Sequence, residues 1–186
     1  FHSTKIFHTI EGGAIIFREK KHLEKARKMI NFGITGYDQV EGLGINGKMN
    51  EFQAAMGLCI LDDIEMLLSR RRAVYDKYIE AFSGIAGLKL QKINPLTNYN
   101  YAYFPLVFDS EITREKIYAL LKKNDIYPRR YFSPSLDSLD YLNYSEKMSV
   151  SEQISKRILC LPHYESLAII DQDKIIKIIL TGISGK

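Results

Sequence analysis

The stretch Phe1-His2-Ser3-Thr4-Lys5-Ile6-Phe7-His8-Thr9-Ile10-Glu11-Gly12-Gly13-Ala14-Ile15 sets one lysine among aromatic rings, hydroxyls and imidazoles, just ahead of a Gly-Gly turn. A lysine held in a partly desolvated pocket gives up its proton more readily and condenses with an aldehyde, so Lys5 is a candidate nucleophile. The residues alone leave a plainer account open, in which Lys5 is one more solvated surface amine. Past the glycines, Ala14-Ile15-Ile16-Phe17 reads as a short buried strand, because an apolar run bounded by charge follows a turn. The spacing of Leu23, Ala26, Met29 and Ile30 predicts a helix from Lys20 to Ile30, stopped by Asn31-Phe32-Gly33.

Residues 34–49 are rich in Gly, Asp, Asn and Tyr and show no period. A loop of that length usually has a functional reason. Asn50 is placed to cap the next helix, whose stripe Phe52, Met56, Ile60, Ile64, Leu67, Tyr75, Tyr78 and Phe82 keeps helical spacing almost to Ser83-Gly84. One helix of that extent would join two bodies; the alternative is two shorter helices kinked near Ser69. After Gly87 the elements shorten, which puts a domain boundary inside or just after the long helix. Tyr101 to Phe108 alternates, with Ala102, Phe104, Leu106 and Phe108 on one face, and Pro105 argues for an edge position or a bulge. Thr113 reads as the cap of a helix through Lys123. Ile126-Tyr127 opens an extended segment, helices are expected over Ser149–Leu159 and Asp171–Leu180, and Gly182 to Lys186 should fray.

The chain has 186 residues, 46% of them apolar and 26% charged, with a net charge of +4, which describes an ordinary folded domain and excludes disorder. Its apolar runs are too short to cross a bilayer, and residues 1–13 lack the pattern of a secretory signal, so no membrane partner is expected. Cys59 and Cys160 sit in apolar surroundings and read as reduced core thiols, which points to the cytoplasm. Gly42, Gly44 and Gly47 form a literal G-x-G-x-x-G, but no buried strand precedes it and no acid follows at the right place outside a helix, so a dinucleotide site is rejected. His2, His8, His22 and His163 have neither i,i+4 pairing nor a companion Cys, which leaves a metal site without support. Arg70-Arg71-Arg72 and the 12 tyrosines would suit nucleic acid, yet a basic run on a long helix is more simply a solvated or interface face.

The run FHSTKIFHTIEGGAI resembles the Schiff-base lysine segment of the DegT/DnrJ/EryC1/StrS sugar aminotransferases, which use pyridoxal phosphate. GLGINGKMNEFQAAMG, YPRRYFSPSL and ILCLP with its following Tyr-x-x-Leu resemble further segments of that family, in the same order. The resemblance implies an α/β protein of the pyridoxal-phosphate transferase fold type I. Residues 1–50 would then be the end of the large cofactor domain, residues 51–83 the connecting helix, and residues 84–186 the small C-terminal α/β domain. It also implies transfer of an amino group from an amino acid, with glutamate the expected donor, to a nucleotide-linked keto-deoxy sugar, for polysaccharide or deoxyamino sugar biosynthesis, by a homodimer.

In that scheme Lys5 holds the cofactor pyridoxal 5'-phosphate and later carries a proton. Asn46 and Lys48 fall in the loop that reaches the partner subunit's cofactor phosphate, although Lys48 stands where relatives often carry Arg and so offers a point charge in place of a fork. Their plain reading is a turn residue and a solvated lysine. Arg129, Arg130 and Tyr131 resemble the segment bordering the substrate entrance, with structural ion pairing as the competing account. Glu11 would orient Lys5 or His8, or cap the Gly turn, and His163 departs from the family pattern with no role assigned. The family's phosphate-binding turn, ring-covering aromatic and pyridinium-pairing Asp precede the lysine, so the chain reads as the second half of such an enzyme and is expected to be inactive alone. The alternative is a non-catalytic α/β dimerisation domain that keeps the lysine motif.

Overall fold

Helix α2, Glu51–Phe82, is the longest element of the computed structural model, which describes residues 1–142 and 146–185. Its start is fixed by a reciprocal cap. The Gln53 amide donates to Asn50 Oδ1 at 2.9 Å, and the Asn50 amide donates to Gln53 Oε1 at 3.1 Å. The helix is continuous for 32 residues, about 48 Å along its length, so two separate shorter helices do not occur. Two compact units divide within it, Phe1–Glu65 and Met66–Lys186.

In the first unit α1 spans Lys20–Met29, and β1 (Ile34–Gly36) pairs antiparallel with β2 (Gln39–Val40), so part of the expected loop is a small hairpin. The strand expected over Ala14–Phe17 is absent, with Ile15 75% and Ile16 97% exposed. Phe52 is likewise exposed, and Cys59 lies on the surface of α2 and not in a core. The apolar stripe of α2 is buried only where the helix meets a sheet.

That sheet lies in the second unit, in the antiparallel order β3 (Leu88–Leu90), β4 (Phe104–Phe108), β5 (Ile158–Leu161). Phe104, Leu106 and Phe108 alternate onto the buried face and meet Tyr75, Tyr78 and Phe82 of α2 in one core. Ile117 and Leu121 of α3 (Glu111–Lys123) and Ile175 and Ile179 of α5 (Ile169–Ser184) complete it. Tyr78 donates its hydroxyl to Pro162 O at 3.0 Å, and Gln172 donates to Val74 O at 2.7 Å, so these two polar side chains in the core are satisfied.

Pro105 sits in the central strand, not on an edge. Its partner Cys160 exchanges both backbone hydrogen bonds with Arg129, at 2.7 and 3.0 Å, so the Pro105–Cys160 pair is a non-hydrogen-bonded one. Pro105 N therefore faces the other side, past Leu90 where β3 has ended, and the position is locally an edge.

Four boundaries differ from expectation. Ser110, not Thr113, caps α3, its hydroxyl accepting from the Thr113 amide at 3.0 Å. Helix α4 (Ser149–Arg157) stops short of the apolar Ile158–Leu161, which is strand β5. Ile126-Tyr127 starts no strand; the nearest pairing is the bridge from Arg129 to Cys160. Gly182 is buried within α5, which runs to Ser184 before Gly185 turns left-handed; Lys186 lies outside the described residues.

Candidate active site

Lys5 sits on a closed turn. Its amide donates to His2 O at 3.0 Å, and the Thr9 amide donates to Phe1 O at 3.0 Å, which ties residues 1–9 into a loop with Lys5 exposed upon it. Thr9 is buried and donates its hydroxyl to Glu11 O at 2.7 Å, while Phe1 and Phe7 meet edge to face at 4.8 Å. The Glu11 carboxylate lies 3.5 Å from His2 Nε2. The loop packs closely on the start of α2: a Cβ on Gly12 would fall 2.9 Å from Met49 Cε, and one on Gly57 would fall 3.0 Å from Thr9 Cγ2. The fold thus sets the lysine turn beside Met49, the residue that follows Lys48.

The loop carrying Asn46 and Lys48 is laced to the end of α1. Ile45 and Gly47 donate backbone bonds to Met29 O and Ile30 O at 2.8 and 2.9 Å, and Asn46 bridges to Asn31. Gly44 and Gly33 belong here for close approach, since a Cβ on Gly44 would lie 2.2 Å from Gly33 N. This is the structural use of the glycine pattern. Lys48 Nζ donates to Asn31 Oδ1 at 3.0 Å and lies 4.5 Å over the Phe32 ring. Both of these partners are uncharged.

Arg129, Arg130 and Tyr131 lie in the second unit and are held by different means. The double backbone bond to Cys160 fixes Arg129 beside β5, and its guanidinium donates to the Tyr131 hydroxyl and rests 5.4 Å over that ring. Arg130 is 3.9 Å from the Glu115 carboxylate and 3.4 Å from Ser133 Oγ, so ion pairing accounts for part of its placement. Tyr131 stacks on Phe132 at 4.6 Å and meets Tyr103 edge to face at 5.8 Å.

Two constellations in this unit escape sequence reasoning. Arg71, at the centre of the run expected to be solvated, is nearly buried and donates to His163 O at 3.2 Å while pairing with Glu165 at 3.4 Å. The His163 ring nitrogen Nε2 lies 3.1 Å from Arg71 O, with Nδ1 buried and unpartnered. Burial, reinforced by the Arg71 charge, pushes His163 down to about 4. Second, a cavity of about 300 Å³ opens over the outer sheet face, between Tyr103, Phe132 and Cys160. Burial pushes the Cys160 thiol up to about 11, so its floor is neutral and apolar. The alternating tyrosines of Asn98-Tyr99-Asn100-Tyr101-Ala102-Tyr103 are the sequence signal that could have found it.

Among the described residues no group of three or more His, Cys, Asp or Glu could hold a metal ion, and no helix is long and apolar enough to cross a membrane.

The mixed α/β architecture is that of the pyridoxal-phosphate transferases of fold type I, and a crystal structure of DesI in the presence of its TDP-sugar product superposes on the whole chain with a TM-score of 0.86 at 27% identity, covering 49% of that chain. Residues 1–180 match the DegT/DnrJ/EryC1/StrS aminotransferase family, and the chain belongs to it. It is 35% identical over 178 residues to a dTDP-4-amino-4,6-dideoxy-D-glucose transaminase of Shigella dysenteriae, across 90% of this chain and 47% of the relative. A transaminase of the same name from Escherichia coli is 35% identical over 164 residues, across 84% of this chain and 44% of its own length. The chain therefore spans about half the length of the curated relatives it matches.

Proposed function

We propose that this chain carries the lysine-bearing part of a pyridoxal-phosphate-dependent aminotransferase that moves an amino group from glutamate to the keto carbon of a dTDP-linked 4-keto-6-deoxy sugar. The observation that carries the reading is the family match over residues 1–180, which includes Lys5 on its exposed turn. The names of the two transaminase relatives supply the sugar and the nucleotide.

The residues present fit the cofactor. Lys5 offers a primary amine on an exposed turn, and Lys48 offers an ammonium held by the neutral Asn31 and Phe32 side chains. When bound, pyridoxal phosphate supplies the electron sink that lets a carbon next to nitrogen lose a proton. Lys5 Nζ would be the atom that holds the cofactor and, when freed, the base that would carry a proton between the substrate carbon and the cofactor carbon. Asn46 and Lys48 bind phosphate, in this reading that of the partner subunit of a homodimer. Arg129, Arg130 and Tyr131 orient the anionic substrates. Two unpaired thiols, Cys59 and Cys160, suit a reducing compartment, which supports a cytoplasmic enzyme.

The test is visible absorbance of the 186-residue chain and of its full-length parent with pyridoxal phosphate, followed by amino transfer from glutamate to the keto sugar. The parent should hold the cofactor and turn over, Lys5→Ala should do neither, and the 186-residue chain should not turn over alone. Turnover by Lys5→Ala would refute the assignment. A parent with neither cofactor retention nor transfer would favour a non-catalytic dimerisation domain.

A further inference from the structure

We propose that the groove between α3 and α5 is a docking site for an acidic amphipathic helix of a partner protein. The site is independent of the amino-transfer reading and lies on a face of the second unit to which that reading gives no role.

The two helices run antiparallel, since Lys116 donates its ammonium to Gly182 O at 2.7 Å and Lys174 donates to Asn124 O at 3.1 Å. Gly182 lets them close on each other at one end, where a Cβ would fall 2.4 Å from Ile117 Cδ1 and 3.0 Å from Leu120 Cδ1. Alongside this contact the helices leave a recess of about 530 Å³, lined by the half-buried Leu120 and Ile178.

Among the described residues, every charged side chain of the lining is a lysine: Lys116, Lys174 and Lys177. Long lysine side chains ordinarily carry their charge out into water. Here the bonds to Gly182 O and Asn124 O draw two of them back against the walls, so their charge stays at the recess. Lys177, about one turn past Lys174 on the same face of α5, has no hydrogen-bond or ion-pair partner among the described residues. Two neighbouring acids that could have neutralised the groove are engaged elsewhere, Asp173 on Lys77 at 2.7 Å and Glu115 on the buried Arg114 at 2.6 Å. Bonding to carbonyls at helix ends accounts for Lys116 and Lys174. It accounts neither for Lys177 nor for the apolar side chains between the charges.

The spacing selects the occupant. The bonds of Lys174 and Lys116 mark points on α5 that are about 12 Å apart along its axis. A free phosphate spans only part of that distance and leaves Leu120 and Ile178 uncovered. A helix with acids seven residues apart, about 10 Å, sets a carboxylate toward each end and can lay leucines over the apolar floor between them. A nucleic-acid strand could match the charge, but the lining holds no aromatic ring on which a base would stack. A bilayer offers a flat surface, whereas these lysines line a recess.

The experiment is calorimetry of the 186-residue chain with a synthetic alanine-based peptide whose two glutamates, seven residues apart, flank a pair of leucines. A scrambled peptide of the same composition, phosphatidylglycerol vesicles and a single-stranded oligonucleotide are the comparisons. Expected are saturable binding of the first peptide, a gain in its helicity by circular dichroism, at least about tenfold weaker binding of the scrambled one, and weakening as salt is raised. Lys177→Glu changes an exposed side chain without a partner and should weaken binding by about tenfold, with affinity regained by a peptide carrying lysines in place of its glutamates. Thr181→Trp leaves the charge unchanged, fills the recess from an exposed position and should abolish binding. Both variants should melt like the wild type.

Absence of saturable binding, equal affinity for the ordered and scrambled peptides, or unchanged affinity in either variant would each overturn the proposal. Tighter binding of the vesicles or of the oligonucleotide than of the peptide would overturn the acidic helix as the occupant. These measurements involve neither cofactor nor sugar, so failure of amino transfer by the parent enzyme would leave the groove standing.

Discussion

His163 makes the second unit sensitive to mild acid, and the size of the effect follows from its surroundings. With Nε2 bonded to Arg71 O at 3.1 Å, the neutral ring must carry its proton on Nε2, since a carbonyl only accepts. A second proton would go to Nδ1, which is buried and has no acceptor. It would also add charge beside the Arg71 guanidinium, with only Glu165 to offset it and the Tyr75 ring against the other side. These costs hold His163 at about 4 in the fold, while the unfolded chain binds its proton near the ordinary 6.5. The unfolded state therefore takes up more protons as pH falls through that window, and stability is full above pH 6.5 and lost toward pH 4.

The loss attributable to this one side chain is about 2 kcal/mol at pH 5, tending to about 3 kcal/mol near pH 4. At about pH 5 that is a drop in melting temperature of about 4 to 8 °C for a protein of this size. His163→Gln keeps a donor for the Arg71 carbonyl but cannot take a charge. The assay is circular dichroism melting of both proteins from about pH 7.5 to about pH 4.5, the span of the His163 window. Every other ionisable residue is the same in both proteins, so the difference between the two curves isolates His163. The glutamine of the variant packs less well against Tyr75, so that protein should start lower at neutral pH, then converge on or pass the wild type by about pH 5. Two curves that run parallel over the whole range would refute the reasoning.

Gly182→Ala should destabilise by about 1 kcal/mol, because the gain in helix propensity is outweighed by a Cβ placed 2.4 Å from the buried Ile117 Cδ1. In an Ile117→Val background that methyl is gone, and urea melts should show the same substitution neutral or stabilising; additive costs would mean the clash is relieved some other way. Ser110→Ala removes the α3 cap and should cost about 1 kcal/mol by urea denaturation, with Ser110→Thr close to wild type. Hydrogen exchange should find the amides of β4, β5 and α5 protected to the level of global unfolding and those of residues 34–49 exchanging far sooner, and equal protection would contradict this distribution of burial.

What is legible in the sequence and what is hidden divide along physical lines. Helix α2 is legible because a cap, a period and a Gly stop all agree, and β4 because Phe104, Leu106 and Phe108 alternate. The apolar run Ile158–Leu161 is absorbed into a helix on sequence grounds, since four apolar residues fit either period. Ala14–Phe17 fails for the opposite reason: apolar character is present, but the described residues supply nothing to bury it. Lys5 stands out by its neighbours in sequence. The Arg71 and His163 pair does not, because its partners are 92 residues apart and each alone resembles a surface group. The aromatic cavity is drawn from separate segments of the chain, so only its alternating tyrosines leave a trace.

The distribution of burial bears on how the site works. Among the described residues, all fourteen members of the hydrophobic core belong to the second unit. In the first unit the buried positions among the described residues are Thr9, Gly33 and Gly57, while Ile16, Leu43, Ile45 and Phe52 are exposed. Ordering a residue costs about 1 to 2 kcal/mol of backbone entropy, and burial this sparse offsets little of it. Lys5, Asn46 and Lys48 are thus held chiefly by backbone hydrogen bonds and by glycines that let strands of chain touch. The groups proposed for recognition, Arg129 and Tyr131, are by contrast carried by the second unit, where two backbone hydrogen bonds tie Arg129 to β5.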